Sequence, residues 1–595
     1  MNRPAATGKH ADGTDARRFS GFGVSPGIAI GLAVVLDNRA DKVVRVALKR
    51  ERVADELERF DRAVAAARAD LQQVKDRVAR EIGATYAGVI DAQILMVDDA
   101  SFAGETRERI RSDRANAEWA LAQTARRFEE AFSSIADPYI RERAHDVEDV
   151  HNRLQKLLAG GAEPDLGDLE EDAIIVAPSI SPSDTILLKH PHVIGFCTDL
   201  GGRTSHTAII ANALEIPAVV GLHDFTPRVK DGQLLILDGG EGTVWIDPPS
   251  EVVEEYRARR LAYAALQAEY AAIRDLAALT ADGVRVRLRA NIELPDDIDS
   301  AVRFGAEGVG LYRSEFLFLE RSPALPTEED HYRIYKMLAE RCRPEPAVIR
   351  TLDLGGEKYF HDVLDRGEAN PVMGMRAVRF CLKRPDIFKA QLRGLLRASV
   401  HGEIHVMFPL ISGFDELRRV RAVLDECRAE LDAEGIPQAP AIKVGIMIEV
   451  PSAAAIADLL AREVDFFSVG TNDLIQYCLA LDRGNDQLGY LYEPLHPAIL
   501  RTLDFVLRAG SDAGIRVALC GEMAAEPRYL PVLLGLGFRD LSMNPQAIPA
   551  VKRALAGIDS SHARDVMRRA LAISSTEEIG ALLRGEFAIA ATPSR

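Results

Sequence analysis

Apolar and polar positions change rhythm several times along the chain. Residues 19–37 carry short apolar runs punctuated by Gly and Pro (Phe22, Val24, then Ile28 to Val35), which predict two short strands with a turn at Pro26-Gly27. Over 48–158 the apolar spacing becomes helical and Ala, Leu, Arg and Glu dominate. Breaks near Gly83, Asp98-Asp99, Asp113 and Asp137-Pro138 divide this stretch into about four packed helices. The β pattern then returns at 173–177, 193–196, 218–220 and 234–237, with helical stretches between. The opening strands lack local partners, so they are expected to join this α/β sheet, which makes the helical unit an insertion.

Pro248-Pro249-Ser250 opens an uninterrupted helical run from Glu251 to about Leu279, with Ser250 as a candidate N-cap. Such a helix would extend roughly 40 Å and join two bodies, or simply lie on the surface of the next domain. From Val284 onward strand and helix alternate regularly, with strands at 284–290, 308–312, 347–352, 404–409, 444–448, 466–470, 517–519 and 540–543. Eight βα units in this length predict a (β/α)8 barrel with its chemistry where the strands end.

Length and charge narrow the class. At 595 residues several domains are expected. The 90 acidic against 73 basic residues, a net charge of -17, argue against a general nucleic-acid or membrane surface and suit a basic partner. Six scattered cysteines without a C-x-x-C pair fit a reducing cytosol, and no apolar run is long enough to span a bilayer. Residues 1–18 are polar and read as a disordered tail without a signal-peptide core.

Two places carry candidate chemistry. In Gly201-Gly202-Arg203-Thr204-Ser205-His206-Thr207 a histidine sits between an apolar strand and an alanine-rich helical run. Unpaired N–H groups and the helix dipole favour an anion on that ring, and the glycines permit close approach, as a phosphoryl group on nitrogen would require. The ordinary alternative is a capping or packing histidine. The second place is the predicted barrel rim, whose strand ends carry Asn291, Arg313, Arg350, Glu449, Asn472, Asp473 and Cys520. Glu449 and Asp473 each follow an apolar strand without a basic neighbour in sequence, which suits Mg2+; pairing with arginine is the alternative. Arg313, Arg350 and Arg483 at or just after strand ends imply a polyanionic small ligand. Cys520 is either a buried inert thiol or, at a rim, a proton donor to an enolate carbon.

The stretches SPGIA from Ser25, GGRTSHTAII from Gly201, GLYRSEFLF from Gly310, RTLDLGGEK from Arg350, GIMIEVPSAA from Gly445, SVGTNDLIQY from Ser468, LDRGND from Leu481 and LCGEMA from Leu519 together resemble the enzyme I family of the bacterial phosphoenolpyruvate-dependent sugar phosphotransferase system. The resemblance covers 19–571. It implies a tail (1–18), a swivelling phosphohistidine α/β domain (19–40 plus 160–248) and an inserted helical domain that docks the phosphocarrier protein HPr (41–159). A linker helix (249–280), a phosphoenolpyruvate-binding (β/α)8 barrel that forms a homodimer (281–575) and a C-terminal tail (576–595) would follow. It implies that His206 takes the phosphoryl group on Nε2, that Arg313 and Arg350 grip the phosphate, and that Asn472 and Arg483 complete the clamp. Glu449 and Asp473 would hold Mg2+, Asp473 also touching substrate, Cys520 would protonate the departing enolate to pyruvate, and Lys358 and Arg376 would lend basic support. A cytoplasmic location is implied too.

Two residues depart from the pattern: Gln93 stands where a histidine is usual in the docking segment, and Glu357 replaces a common Asp. Pyruvate phosphate dikinase and phosphoenolpyruvate synthase share the two domain types but add a nucleotide-grasping domain and usually carry Ala where this chain has Thr207. A core enzyme standing without sensor or fused carrier modules is the expectation. A signalling phosphoprotein with a degenerate barrel is the rival from another class, and filled catalytic positions speak against it.

Overall fold

A computed structural model describes residues 17–36, 45–81, 90, 93–97, 99–133, 138–159, 169, 171–180, 188, 190–202, 211, 216–295, 297–321, 325–354, 371–482 and 488–587. The chain divides into two units, Met1–Gln267 and Ala268–Arg595.

The first unit holds an eight-stranded sheet. Its strands are β1 (Arg18–Ser20), β2 (Phe22–Ser25), β3 (Ile28–Val35), β4 (Ala173–Ala177), β5 (Val193–Thr198), β6 (Ala218–Val220), β7 (Leu234–Asp238) and β8 (Thr243–Ile246). Their spatial order is β1-β8-β7-β3-β4-β5-β6-β2. The opening strands do join the later ones: β3 runs parallel to β4 (Leu32 opposite Ala173) and antiparallel to β7 (Ile28 opposite Asp238). β4 is buried at all five positions, as a central strand covered on both faces must be, and so reads as an unbroken apolar run. β1, an additional strand, is a three-residue edge element of sequence RFS, too short and polar to signal itself.

Between β3 and β4 the chain makes helices α1 (Val53–Glu81), α2 (Ala100–Asp113), α3 (Ala117–Ser133) and α4 (Pro138–Ala159). Asp99 starts α2 by accepting from the Ser101 and Phe102 N–H groups, and Arg114 in the left-handed region (φ 47°) stops it. Phe60, Leu71, Phe102, Leu121 and Leu154 close one apolar core; burying each such side chain is worth about 1.5–3 kcal/mol.

Helix α5 (Ser250–Ile273) ends six residues before the expected Leu279, giving about 36 Å at 1.5 Å per residue. Its N-cap also differs from expectation. The Pro249 carbonyl accepts from the Val252 and Val253 N–H groups, so Pro249 holds the cap position and Ser250 is the first helical residue.

In the second unit β9 (Arg287–Ile292), β10 (Val309–Arg313), β11 (Ala347–Arg350), β12 (Ile404–Phe408), β13 (Lys443–Ile448), β14 (Phe466–Val469), β15 (Arg516–Leu519) and β16 (Asp540–Met543) close a parallel barrel in sequence order, β16 pairing with β9. β9 starts at Arg287 rather than 284, because Val284 and Val286 are tied into a turn with Thr280 and Ala278 by backbone hydrogen bonds of 3.0 and 2.9 Å. Leu311, Val348, Met407, Met447 and Phe466 form one buried cluster with Cys520. Among the described residues no helix is long and apolar enough to cross a membrane.

Candidate active site at the barrel rim

The strand ends deliver a ring of charged side chains. Arg350 closes β11 and is largely buried; its Nη2 lies 3.1 Å from Glu315 Oε1 and its Nη1 3.0 Å from Asp353 Oδ2. Glu315 also accepts the Asp353 backbone N–H at 2.9 Å, so the turn after β11 is pinned to the helix that follows β10. Burial alone would lower Arg350, but Glu315, Asp353 and Glu449 hold it above its ordinary value.

Arg376 joins the two sides of the rim: Nη2 lies 2.8 Å from Asp353 Oδ1 and Nη1 3.4 Å from Asp473 Oδ2. The next residue, Ala377, adopts φ 52°, a left-handed conformation that costs an L-residue on the order of 1–3 kcal/mol and is tolerated where surrounding contacts fix it.

Glu449 follows β13 and is buried. Its Oε1 accepts the Leu410 N–H at 2.7 Å, and Leu410 too is left-handed, at φ 53°. Burial, then the neighbouring Asp353 and Asp473 charges, push Glu449 up to about 8 against the pull of Arg350. Gly470, which follows β14, leaves room for this carboxylate: a Cβ there would stand 2.9 Å from Glu449 Oε2.

Asn472 and Glu522 clasp each other, Nδ2 to Oε1 at 2.9 Å and the Glu522 N–H to Oδ1 at 2.9 Å. Cys520 after β15 is buried, with Sγ 3.6 Å from the Val469 carbonyl; burial raises its thiol, although Ser468 and Arg350 oppose this, and so keeps it protonated. Asn291 at the end of β9 donates to the Cys520 carbonyl at 2.9 Å and accepts from Ser542 Oγ at 2.5 Å.

The rim therefore brings together Arg313, Arg350, Arg376, Glu449, Asn472, Asp473 and Cys520, with two refinements. Asp473 has Arg376 beside it, a pairing its sequence neighbours do not announce. Arg313 is 40% exposed and its Nη1 rests 2.5 Å from Glu293 Oε1, so it is held by a carboxylate rather than aimed freely inward. Glu315, Asp353 and Tyr477, whose hydroxyl lies 3.4 Å from Arg376 Nη1, were not singled out in the sequence; acidic residues just past the arginine-ended strands β10 and β11 were the available signal. His206, Lys358, Arg483 and Glu357 lie outside the described residues, as do the tail up to residue 16 and residues 588–595. Before His206, β5 ends at Thr198 and Asp199 Oδ1 fixes the neighbouring loop by accepting the Phe225 and Thr226 N–H groups, each at 2.8 Å. Gln93 in the helical insert is buried and donates to Asp149 Oδ2 at 2.9 Å.

Among the described residues no group of three or more His, Cys, Asp or Glu side chains is arranged to hold a metal. A hard divalent cation nevertheless fits the Glu449–Asp473 region. Burial raises Glu449 and the Asp353 and Asp473 charges add to the rise, so a positive charge there is favourable, and Mg2+ needs only one or two carboxylates when ligand oxygens and water fill the remaining positions.

Known proteins resemble the chain over most of its length. Three family models match: "PEP-utilising enzyme, N-terminal" at 20–143, "PEP-utilising enzyme, mobile domain" at 169–242 and "PEP-utilising enzyme, PEP-binding domain" at 267–560. A phosphoenolpyruvate-protein phosphotransferase of Bacillus sp. (strain S) is 41% identical over 577 residues, covering 96% of this chain and 99% of that protein. The protein of the same name from Bacillus subtilis (strain 168) is 40% identical over 574 residues, covering 96% and 100%.

Proposed function

Since the chain belongs to the family of phosphoenolpyruvate-protein phosphotransferases, we propose that its barrel rim binds phosphoenolpyruvate and that His206 accepts the phosphoryl group, which then passes to a histidine of the phosphocarrier protein HPr. It is a transferase of the phosphotransferase system, and this is the system's first step. The observation that carries the residue assignments is the convergence, at one end of a closed barrel, of largely buried Arg350, two carboxylates and a protonated thiol.

Arg350 and Arg313 take the phosphate oxygens, since guanidinium forks match phosphate in bidentate geometry. Asn472 and Arg483 close around the carboxylate end of the substrate. Glu449 and Asp473 would hold Mg2+, which supplies positive charge against the phosphate and enolate oxygens. Neutral His206 attacks phosphorus in line through Nε2. The N–P bond forms as the bridging P–O bond breaks, and the enolate leaves. Cys520 gives its proton to the enolate methylene carbon, yielding pyruvate, and the raised thiol is in the right state to do so. Arg376 and Lys358 support the site, Arg376 by orienting Asp353 and Asp473. The helical insert would dock HPr, with Gln93 turned into the fold rather than toward a partner. A homodimer through the barrel, a cytoplasmic location and service to sugar uptake complete the reading.

The test is pyruvate release from phosphoenolpyruvate, with and without Mg2+ and HPr, beside acid-labile labelling of wild type and His206→Ala. Labelling that needs Mg2+ and vanishes in the variant, with turnover only when HPr is added, is the expected result. A folded wild type that stays unlabelled would sink the reading.

A further inference from the structure

The opposite end of the barrel holds a cavity of about 240 Å³ where β9, β12, β13 and β15 begin. Arg287, Arg289, Lys443 and Arg516 face it together with Arg285, and only Glu345 and Glu403 among the lining residues are acidic. This end of such barrels usually serves stability, which matched ion pairs would supply. Here the pairing is incomplete. Arg285 is satisfied by Glu307 at 2.7 Å and Lys443 lies 3.4 Å from Glu403. Asp540, buried, is divided between Arg289 Nε at 3.2 Å and Arg516 Nη1 at 3.4 Å, and neither of its oxygens accepts a hydrogen bond from the described residues. Arg287 has no carboxylate partner among the described residues.

The decisive group is Arg289. Its side chain is 3% exposed, its Nη2 reaches Glu345 only at 3.4 Å, and its Nη1 is buried without an acceptor among the described residues. A buried guanidinium N–H without an acceptor is costly, and an oxyanion is the ligand that removes the cost. Burial lowers Arg516, and although Asp540 opposes this, the Arg289 and Arg287 charges add to it, as expected for cations crowded without enough counter-charge. The space is too small for a macromolecule and sufficient for a compact anion.

We infer that this cavity is a binding site for a small multivalent oxyanion, a phosphate or carboxylate compound, held by Arg289 with Arg287 and Arg516. It is a second anion site in the barrel, separate from the rim. An anion seated there ties together β9 and β15, which are not neighbours in the barrel, and stabilises the folded state in proportion to its concentration.

The experiment is calorimetric titration of the full chain with inorganic phosphate and, separately, with malonate, each against chloride at matched ionic strength. Arg350→Ala removes the rim's contribution; Arg287→Gln and Arg516→Gln address the cavity. Binding that survives Arg350→Ala and weakens at least tenfold in Arg287→Gln, while that variant still labels normally from phosphoenolpyruvate, is the expected outcome. Phosphate alone responding assigns a phosphoryl ligand, and malonate alone a dicarboxylate. Arg287 is exposed and makes no ion pair among the described residues, so its variant folds even if Arg516→Gln does not. Titrations unchanged in Arg287→Gln, or heats equalled by chloride, overturn the inference.

Discussion

At the carboxyl end of the barrel, Glu315, Asp353, Glu449 and Asp473 surround Arg350 and Arg376; at the amino end, Arg289 and Arg516 share Asp540, and Arg287 lines the same cavity. The same eight strands connect the two ends, yet one is short of positive charge and the other short of acceptors. The first deficit adds to burial in pushing the Glu449 carboxyl up to about 8; the second appears as a buried guanidinium N–H with no acceptor among the described residues. Unbalanced buried charge is expensive in either sign, so each imbalance supports the occupant proposed for it: a cation with its phosphate ester at one end, an anion at the other.

The largest effect that would sharpen this contrast comes from Glu449→Gln. Removing the carboxylate while keeping its shape should lower pyruvate release by roughly 10³-fold, the scale of several kcal/mol of metal-derived charge stabilisation. Thermal melting should not fall, because this buried carboxylate is a strained group rather than a stabilising one. A variant that melts much earlier would show that the Leu410 contact supports the fold instead.

Acid should act on the histidines instead. His405 at the amino end is lowered to about 4 and His331 to about 3, in both cases chiefly by burial, with Glu403 opposing the shift at His405. Both rings stay neutral in the fold, while the unfolded chain takes up their protons below about pH 6.5. Stability should therefore be lost as pH falls from 6.5 toward 4, by on the order of 3 kcal/mol for His405 alone. Urea titrations across that range, with His405→Gln giving a shallower dependence, check it.

A smaller cost is expected at Gly521. A Cβ there would collide with Thr471 Oγ1 and crowd its backbone nitrogen, so Gly521→Ala should cost about 1–3 kcal/mol, read as an earlier melting transition. The smallest effect belongs to Lys443→Ala. Its pair with Glu403 is long and more than half exposed on both sides, and such pairs contribute about 0–1 kcal/mol. A larger loss would mean that the amino end is a stability network after all.

The fold was largely legible because its strands are buried on both faces and read as apolar runs. Their positions at 347, 404 and 540 agree with the structure to the first residue. β1 was invisible as an edge, and the end of α5 was misplaced because Ala and Leu continue past Ile273 without marking where the chain turns. At the rim, residue types at strand ends revealed which groups gather but not who pairs with whom. Arg376 reaches Asp473 across the barrel mouth, and no spacing along the chain encodes that contact. The amino-end pocket did leave a trace in Arg285, Arg287 and Arg289, three arginines at every second position of one strand entry. An apolar-run reading passes over them because the intervening residues are the ones that look like a strand.

The insertion of α1 to α4 between β3 and β4 has a consequence for how this chain is made. Leu32 must wait for Ala173, and Ile28 for Asp238, before either edge of β3 is paired. The helices, whose contacts are closer in sequence, emerge in between. On a ribosome the inserted bundle would be assembled while β3 still has both edges open. Sheet closure is then the slow, late event of the first unit, and β3, with its run of Ile, Leu and Val, is the segment most in need of shielding during synthesis.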